Sequence, residues 1–124
     1  MSVKTRGETK SRRVPAAIRV DRIRAQLGAT QEQLAQLLAV SWPSVSRWER
    51  GVARPDPILA EKLDHLAEVL KLLDGVIVKD DMRRWLEGPH PGLRGHGPID
   101  LLSNTYGFEE VRNLIESIKL GQYA

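Results

Sequence analysis

Six side chains between Gln31 and Arg54 have the types and spacing to grip a phosphate backbone and read the edges of bases: Gln31, Trp42, Ser44, Arg47, Arg50 and Arg54. Arg47 is the strongest reader among them. An arginine can pair bidentately with O6 and N7 of guanine, a contact that discriminates by roughly 1–3 kcal/mol. Ser44 can reach a base or a phosphate. Gln31, Arg50 and Arg54 flank the same segment, where contacts position a protein on the duplex without reading sequence. Trp42 has two readings: it packs on a thymine methyl, or it buries itself against protein.

The elements that must hold these groups are written into Thr30 to Gly51, TQEQLAQLLAVSWPSVSRWERG. Thr30 can cap a helix, and Leu34, Ala35 and Leu38 then fall on one face. Ala39-Val40-Ser41 leaves room only for a tight helix–helix turn. Ser41 can cap a second helix with Pro43 in its first turn, where a missing N–H is harmless. Val45 and Trp48 point to the core, so Trp42, Ser44, Ser46, Arg47 and Arg50 face outward. Gly51 ends that helix. Two helices joined this way place the second in a DNA major groove.

Charge supports a polyanion partner for the front half. The chain of 124 residues carries a net +3, but residues 1–56 hold eleven Lys/Arg against five Asp/Glu, a balance of +6. Residues 57–124 hold eight against eleven, a balance of −3. The absence of cysteine excludes disulfides, thiol catalysis and cysteine-based zinc sites. No apolar run is long enough to cross a membrane, and no apolar stretch follows the basic start as in a signal peptide. A cytoplasmic location without membrane contact is the expectation.

The pattern divides the chain into a basic arm (1–14), a helix-turn-helix domain (15–74) and a smaller helical lobe (75–124). The arm could wrap DNA or serve only solubility. A first helix runs from about Pro15 to Leu27. A fourth runs about sixteen residues from Pro57 and carries Leu59, Leu63, Leu66, Leu70 and Leu73. These leucines close the first core and dock the rear half; a dimer seam is the other reading. Val76-Ile77-Val78 reads as an extended link or strand, and Lys79–Glu87 as a short helix. The loop GPHPGLRGHGP, a helical turn from Pro98 to Ser103 and a final helix from about Gly107 to Leu120 complete an all-α architecture. His90 and His96 are too isolated for a metal site. Asp80-Asp81 and Glu109-Glu110 read as helix-start charges. No metal, cofactor or enzymatic constellation is expected.

Residues 18–72 resemble the Cro/phage-repressor class of helix-turn-helix, the Xre type. The carrying residues are Arg24, Leu27-Gly28, Thr30-Gln31-Glu32, Leu34-Ala35, Val40-Ser41, Val45-Ser46, Trp48-Glu49, Gly51 and Pro55. The resemblance implies a buried structural ion pair between Arg24 and Glu49, with Gln31 and the start of the recognition helix on DNA. Two departures stand out: Ala39 replaces the usual turn glycine, and Trp42-Pro43 replaces polar residues.

The rear half is similar to the toxin-binding domain of Xre/MbcA/ParS-type antitoxins. The string is Trp85-Leu86, Gly88-Pro89-His90-Pro91, Leu93, Gly95, Gly97-Pro98-Ile99-Asp100-Leu101-Leu102, Gly107, Val111, Leu114, Ile118, Gly121 and Ala124. The family often has Asn-Pro where this chain has His90-Pro91. The resemblance implies an antitoxin that neutralises a RES-domain toxin consuming NAD. Gly121, Gln122, Tyr123 and Ala124 would plug the toxin's cleft, and the face around Trp85, Leu93 and the final helix would support docking. Trp85 itself reads as core, because so small a lobe needs its largest apolar side chain inside. The expected partners are the toxin, operator DNA and a second copy of the chain. The rival reading is a stand-alone repressor whose rear lobe dimerises or binds an effector.

Overall fold

The computed structural model describes residues 16–121, with side chains from Arg19 onward; the basic arm and Gln122–Ala124 lie outside the described residues. Helix α1 (Ala16–Leu27) ends as the Ala29 N–H donates to the Arg24 carbonyl at 3.0 Å. Helix α2 (Gln31–Leu38) opens with a reciprocal cap: the Gln33 N–H donates to Thr30 Oγ1 at 3.0 Å, and the Thr30 N–H donates to Gln33 Oε1 at 2.9 Å. That satisfies two of the backbone donors a helix start leaves free.

The turn into the next helix passes through Ala39, at φ 59° and ψ 44°. This is the left-handed region, where a Cβ crowds the following carbonyl and costs roughly 1–2 kcal/mol. The Val40 N–H then donates to the Ala35 carbonyl at 2.9 Å and completes the turn. Helix α3 (Trp42–Glu49) follows Ser41, whose hydroxyl does not cap it. Pro43 has no N–H to offer, and the Ser44 N–H donates to the Ser41 carbonyl at 3.1 Å. The Ser41 hydroxyl pairs instead with that of Ser44, at 2.9 Å.

Helix α4 (Pro57–Leu73) is the longest described, capped by Asp56, whose Oδ1 accepts the Leu59 N–H at 2.8 Å. Leu63, Leu66, Val69, Leu70 and Leu73 are buried, and Leu59 is partly so. Helix α1 packs on α3 and α4, and α4 also receives the last helix. Buried residues of both halves, from Ile23 and Val45 to Leu86 and Ile115, form one continuous cluster.

After α4 the chain bends through 74–78 without forming a strand. Helix α5 (Lys79–Glu87) buries Met82 and Leu86, one turn apart. Trp85 lies at the edge of that face and is only partly buried, correcting its expected place inside the core. Two short 3-10 turns follow, at Pro91–Leu93 and Pro98–Leu101. The last helix, α6 (Thr105–Lys119), starts two residues earlier than its apolar spacing predicts. Asn104 provides the start, since its Oδ1 accepts the Gly107 N–H at 2.8 Å. Gly107 sits in the first turn because the Leu101 backbone leaves no space for a Cβ.

The junction between front and rear is built by α4. The His65 ring stacks on Phe108 at 4.5 Å between centroids and 9° between planes. Its Nδ1 lies 2.7 Å from the Leu102 carbonyl, which can only accept, so Nδ1 carries the proton. The Thr105 hydroxyl donates to Glu61 Oε2 at 3.4 Å beside it. Burial pushes the Lys62 ammonium below its ordinary pKa, against the opposing pull of Asp100.

Replacing Ala39 by glycine removes the left-handed penalty while adding some freedom to the unfolded chain. The expected outcome is a gain of about 1 kcal/mol in urea unfolding. A lower midpoint would show that the Ala39 methyl makes a contact worth more than the strain.

Candidate functional site

The helix-turn-helix face is organised by one carboxylate. Glu49, at the end of α3, accepts from Arg24 Nε of α1 at 3.0 Å and from Gln31 Nε2 of α2 at 2.6 Å. One side chain thus ties three helices. The pair is half-buried rather than fully buried, with 24% of the Arg24 side chain and 14% of the Glu49 side chain exposed. Val45 and Trp48 anchor the same helix from below, at 0% and 5% exposure.

Above that anchor, the six expected contact residues divide. Trp42, Arg47, Arg50 and Arg54 are exposed. The Arg47 side chain makes no ion pair or hydrogen bond with any described residue, so its guanidinium fork is available to a ligand. Arg50 Nε lies within 3.4 Å of Ser46 Oγ, which steers it along the helix. Ser44 and Gln31 are half-buried. Ser44 shares its hydroxyl with Ser41, while Gln31 has one amide N–H held by Glu49 and the other free.

The rear lobe is a tightly pinned loop laid against α6. The Leu93 and Gly95 N–H groups both donate to the His90 carbonyl, at 2.9 and 2.8 Å. Leu93, expected on a docking surface, is 1% exposed and belongs to the core. Arg94 takes φ 59° and places its guanidinium on Glu110 of α6, with Nη1 and Nη2 2.7 and 3.1 Å from the two carboxylate oxygens. Hydrogen bonding from Arg94 holds the Glu110 carboxyl below the usual range. Gly97 packs so closely on α5 that a Cβ would come within 2.7 Å of the Glu87 carbonyl.

Trp85 meets the His90 ring at 4.8 Å and lines an open cleft of 490 Å³ with Val76, Ile77 and Val78. Gly121 follows α6 in an exposed left-handed turn at φ +77°, leading to Gln122, Tyr123 and Ala124 outside the described residues. Sequence reasoning missed the Arg94–Glu110 clamp, because partners sixteen residues apart across a loop share no periodic signal. It also missed the exposure of Tyr106 and Leu120, at 76% and 73%.

Residues 20–70 match a helix-turn-helix family model. Residues 72–121 match the model described as the antitoxin Xre/MbcA/ParS C-terminal toxin-binding domain. A probable mycobacterial cidal antitoxin of Mycobacterium tuberculosis is 31% identical over 115 residues, covering 93% of this chain and 96% of that protein. The chain belongs to the Xre/MbcA/ParS antitoxin family. The mycobacterial cidal antitoxin MbcA of Mycobacterium bovis is 29% identical over 98 residues, 79% of this chain and 86% of its own. A chain in the crystal structure of the M. tuberculosis MbcT–MbcA toxin–antitoxin complex superposes with a TM-score of 0.69 at 28% identity, covering 87% of this chain and 96% of that one. Both halves of this family member therefore align with their relatives in one continuous stretch.

The half-buried geometry at Glu49 sets a magnitude between an exposed and a buried pair. Glu49→Ala is expected to cost about 2 kcal/mol in urea unfolding, and Glu49→Gln less, because it keeps a partner for Gln31. Equal losses for the two variants would mean that the charge, and not the hydrogen bond to α2, holds the three helices together.

Proposed function

We propose that this chain is the antitoxin of a type II toxin–antitoxin pair acting in the cytoplasm, and not an enzyme. Its rear lobe neutralises a RES-domain toxin that consumes NAD, by covering the active-site cleft and inserting the tail from Gly121 to Ala124. The observation that carries this reading is the match of residues 72–121 to a toxin-binding domain, in a chain aligned over most of its length with one member of a toxin–antitoxin complex. The RES and NAD assignments rest on the Trp85-to-Ala124 string.

The same chain binds its own operator and represses the operon. Arg47 reads a base in the major groove, while Arg50, Arg54 and the free N–H of Gln31 hold phosphates. One recognition helix covers one half-site, so a dimer serves an operator of two. Trp42 stands 44% exposed at the start of α3, where its ring can meet a thymine methyl. The exposed, unpartnered Arg47 supports this part of the reading.

Co-expression with the protein encoded by the neighbouring gene tests neutralisation. The parent chain is expected to restore growth, and deletion of Gly121–Ala124 to abolish protection. Full protection by the shortened chain would refute the plug. For DNA, Arg47→Ala is expected to weaken operator binding about tenfold or more, with the parent's affinity falling steeply as salt rises. Affinity indifferent to both salt and Arg47 would leave the helix-turn-helix as a scaffold only.

A further inference from the structure

The rear half is acidic by count, with eight Lys/Arg against eleven Asp/Glu over residues 57–124, but its charges are not spread evenly. On α5 two cations share one side. Lys79 and Arg83 are four residues apart, so they lie one above the other along the helix. Lys79 is exposed and Arg83 half-buried. Neither side chain makes an ion pair or hydrogen bond with any described residue. The paired charges of α5 are on its far side, where Asp81 holds Arg84 at 3.4 Å. Asp80 and Glu87 come next around the helix from the two cations, facing solvent.

The cationic side lies against the front half. Met82 and Leu86, which it flanks, are buried where α5 packs on α1. Lys79 crosses the turn between α1 and α2. Gly28 makes room for it there: at φ +62°, a Cβ on that residue would meet Lys79 Cε at 3.2 Å. Asp74 lines the same 420 Å³ groove as Lys79 but does not pair with it. The turn runs straight into Thr30 and Gln31. Three residues of backbone span at most about 11 Å, which keeps the Lys79 ammonium within roughly 17 Å of the Gln31 backbone. Phosphates succeed one another about every 3.4 Å along the axis of a DNA strand. One strand can therefore pass from the first residue to the second.

We propose that Lys79 and Arg83 contact the DNA backbone beside Gln31, so that the phosphate-binding surface crosses from the helix-turn-helix onto the rear lobe. This rests on the DNA-binding part of the proposed function. Contacts of this kind hold a duplex without reading its sequence. The acidic balance of the rear half is then no obstacle, because its unpaired cations stand on the side that meets the DNA.

The test measures anisotropy of the full-length chain on two labelled duplexes: the DNA immediately upstream of its own gene, and an unrelated duplex of equal length. Salt is varied from about 50 to 200 mM. The double variant Lys79→Ala, Arg83→Ala is expected to raise Kd about tenfold or more at the low-salt end on both duplexes, and to flatten the log–log salt slope by about two. Lys79→Ala alone should flatten it by about one with the parent's melting temperature, since that side chain is exposed. Arg47→Ala should instead lose more on the upstream duplex than on the unrelated one. Parent-like slopes in the α5 variants would overturn the proposal, as would a loss confined to the upstream duplex. Weakened binding to the neighbouring gene's product, with DNA affinity kept, would assign the two cations to the toxin instead. A parent chain that binds neither duplex, or binds without regard to salt, would sink the DNA-binding reading itself; a parent that binds steeply beside unaffected variants would sink only its extension onto α5.

Discussion

Burial of one apolar stripe on α4 is the constraint on which the rest of the molecule depends. Leu63, Leu66, Val69, Leu70 and Leu73 are at most 1% exposed. Each such side chain contributes about 1.5–3 kcal/mol when fully withdrawn from water. A single helix cannot cover that much surface by itself, so α1 packs against α4 from the front and α6 from the rear. Everything with a candidate function hangs on those two contacts. α1 carries Arg24, which reaches Glu49 and so ties α2 and α3, and α6 carries Glu110, which pins the preceding loop through Arg94. The polar groups at the seam follow the same logic: His65 meets Phe108 with its flat face and the Leu102 carbonyl with its edge, so an imidazole fits between helices without losing hydrogen bonding.

Much of this was legible in the sequence because helices advertise their faces. The Leu34-Ala35-Leu38 spacing, the Thr30 cap, the Val45–Trp48 anchor and the leucine series of α4 all follow from a period of 3.6 residues and from cap chemistry. The pattern loses its grip where the period stops. Between Gly88 and Gly97 no repeat says which way a side chain points, so nothing in the pattern opposed placing Leu93 on the docking face, and the structure buries it. Trp85 misleads through size: the largest apolar residue of the lobe sits at the margin because Met82 and Leu86 already occupy the inner face of a short helix. Ser41 misleads through type, since a good capping residue is useless when the next position is a tryptophan followed by a proline and the remaining N–H is taken.

The string that makes the rear half recognisable is largely a packing string. Gly97 lies on the end of α5, Gly107 lies on the Leu101 backbone, and Pro98, Ile99 and Leu102 are buried. Such residues specify how the lobe is built. The positions free to differ between relatives without disturbing that build are exposed ones such as Tyr106, Asn113 and Leu120. A family resemblance carried by the first set therefore identifies the scaffold more sharply than the individual partner.

The continuous core has a consequence for the lifetime of the protein. A domain with one core of this size opens as a unit, and fragments of it are not stable on their own. A protease that catches the chain in its open state finds both halves accessible together. Turnover would then be indivisible: the helix-turn-helix half and the rear lobe would share one half-life. On the proposed function, a cell that stops making this chain would release operator and toxin on one clock, set by a single unfolding equilibrium.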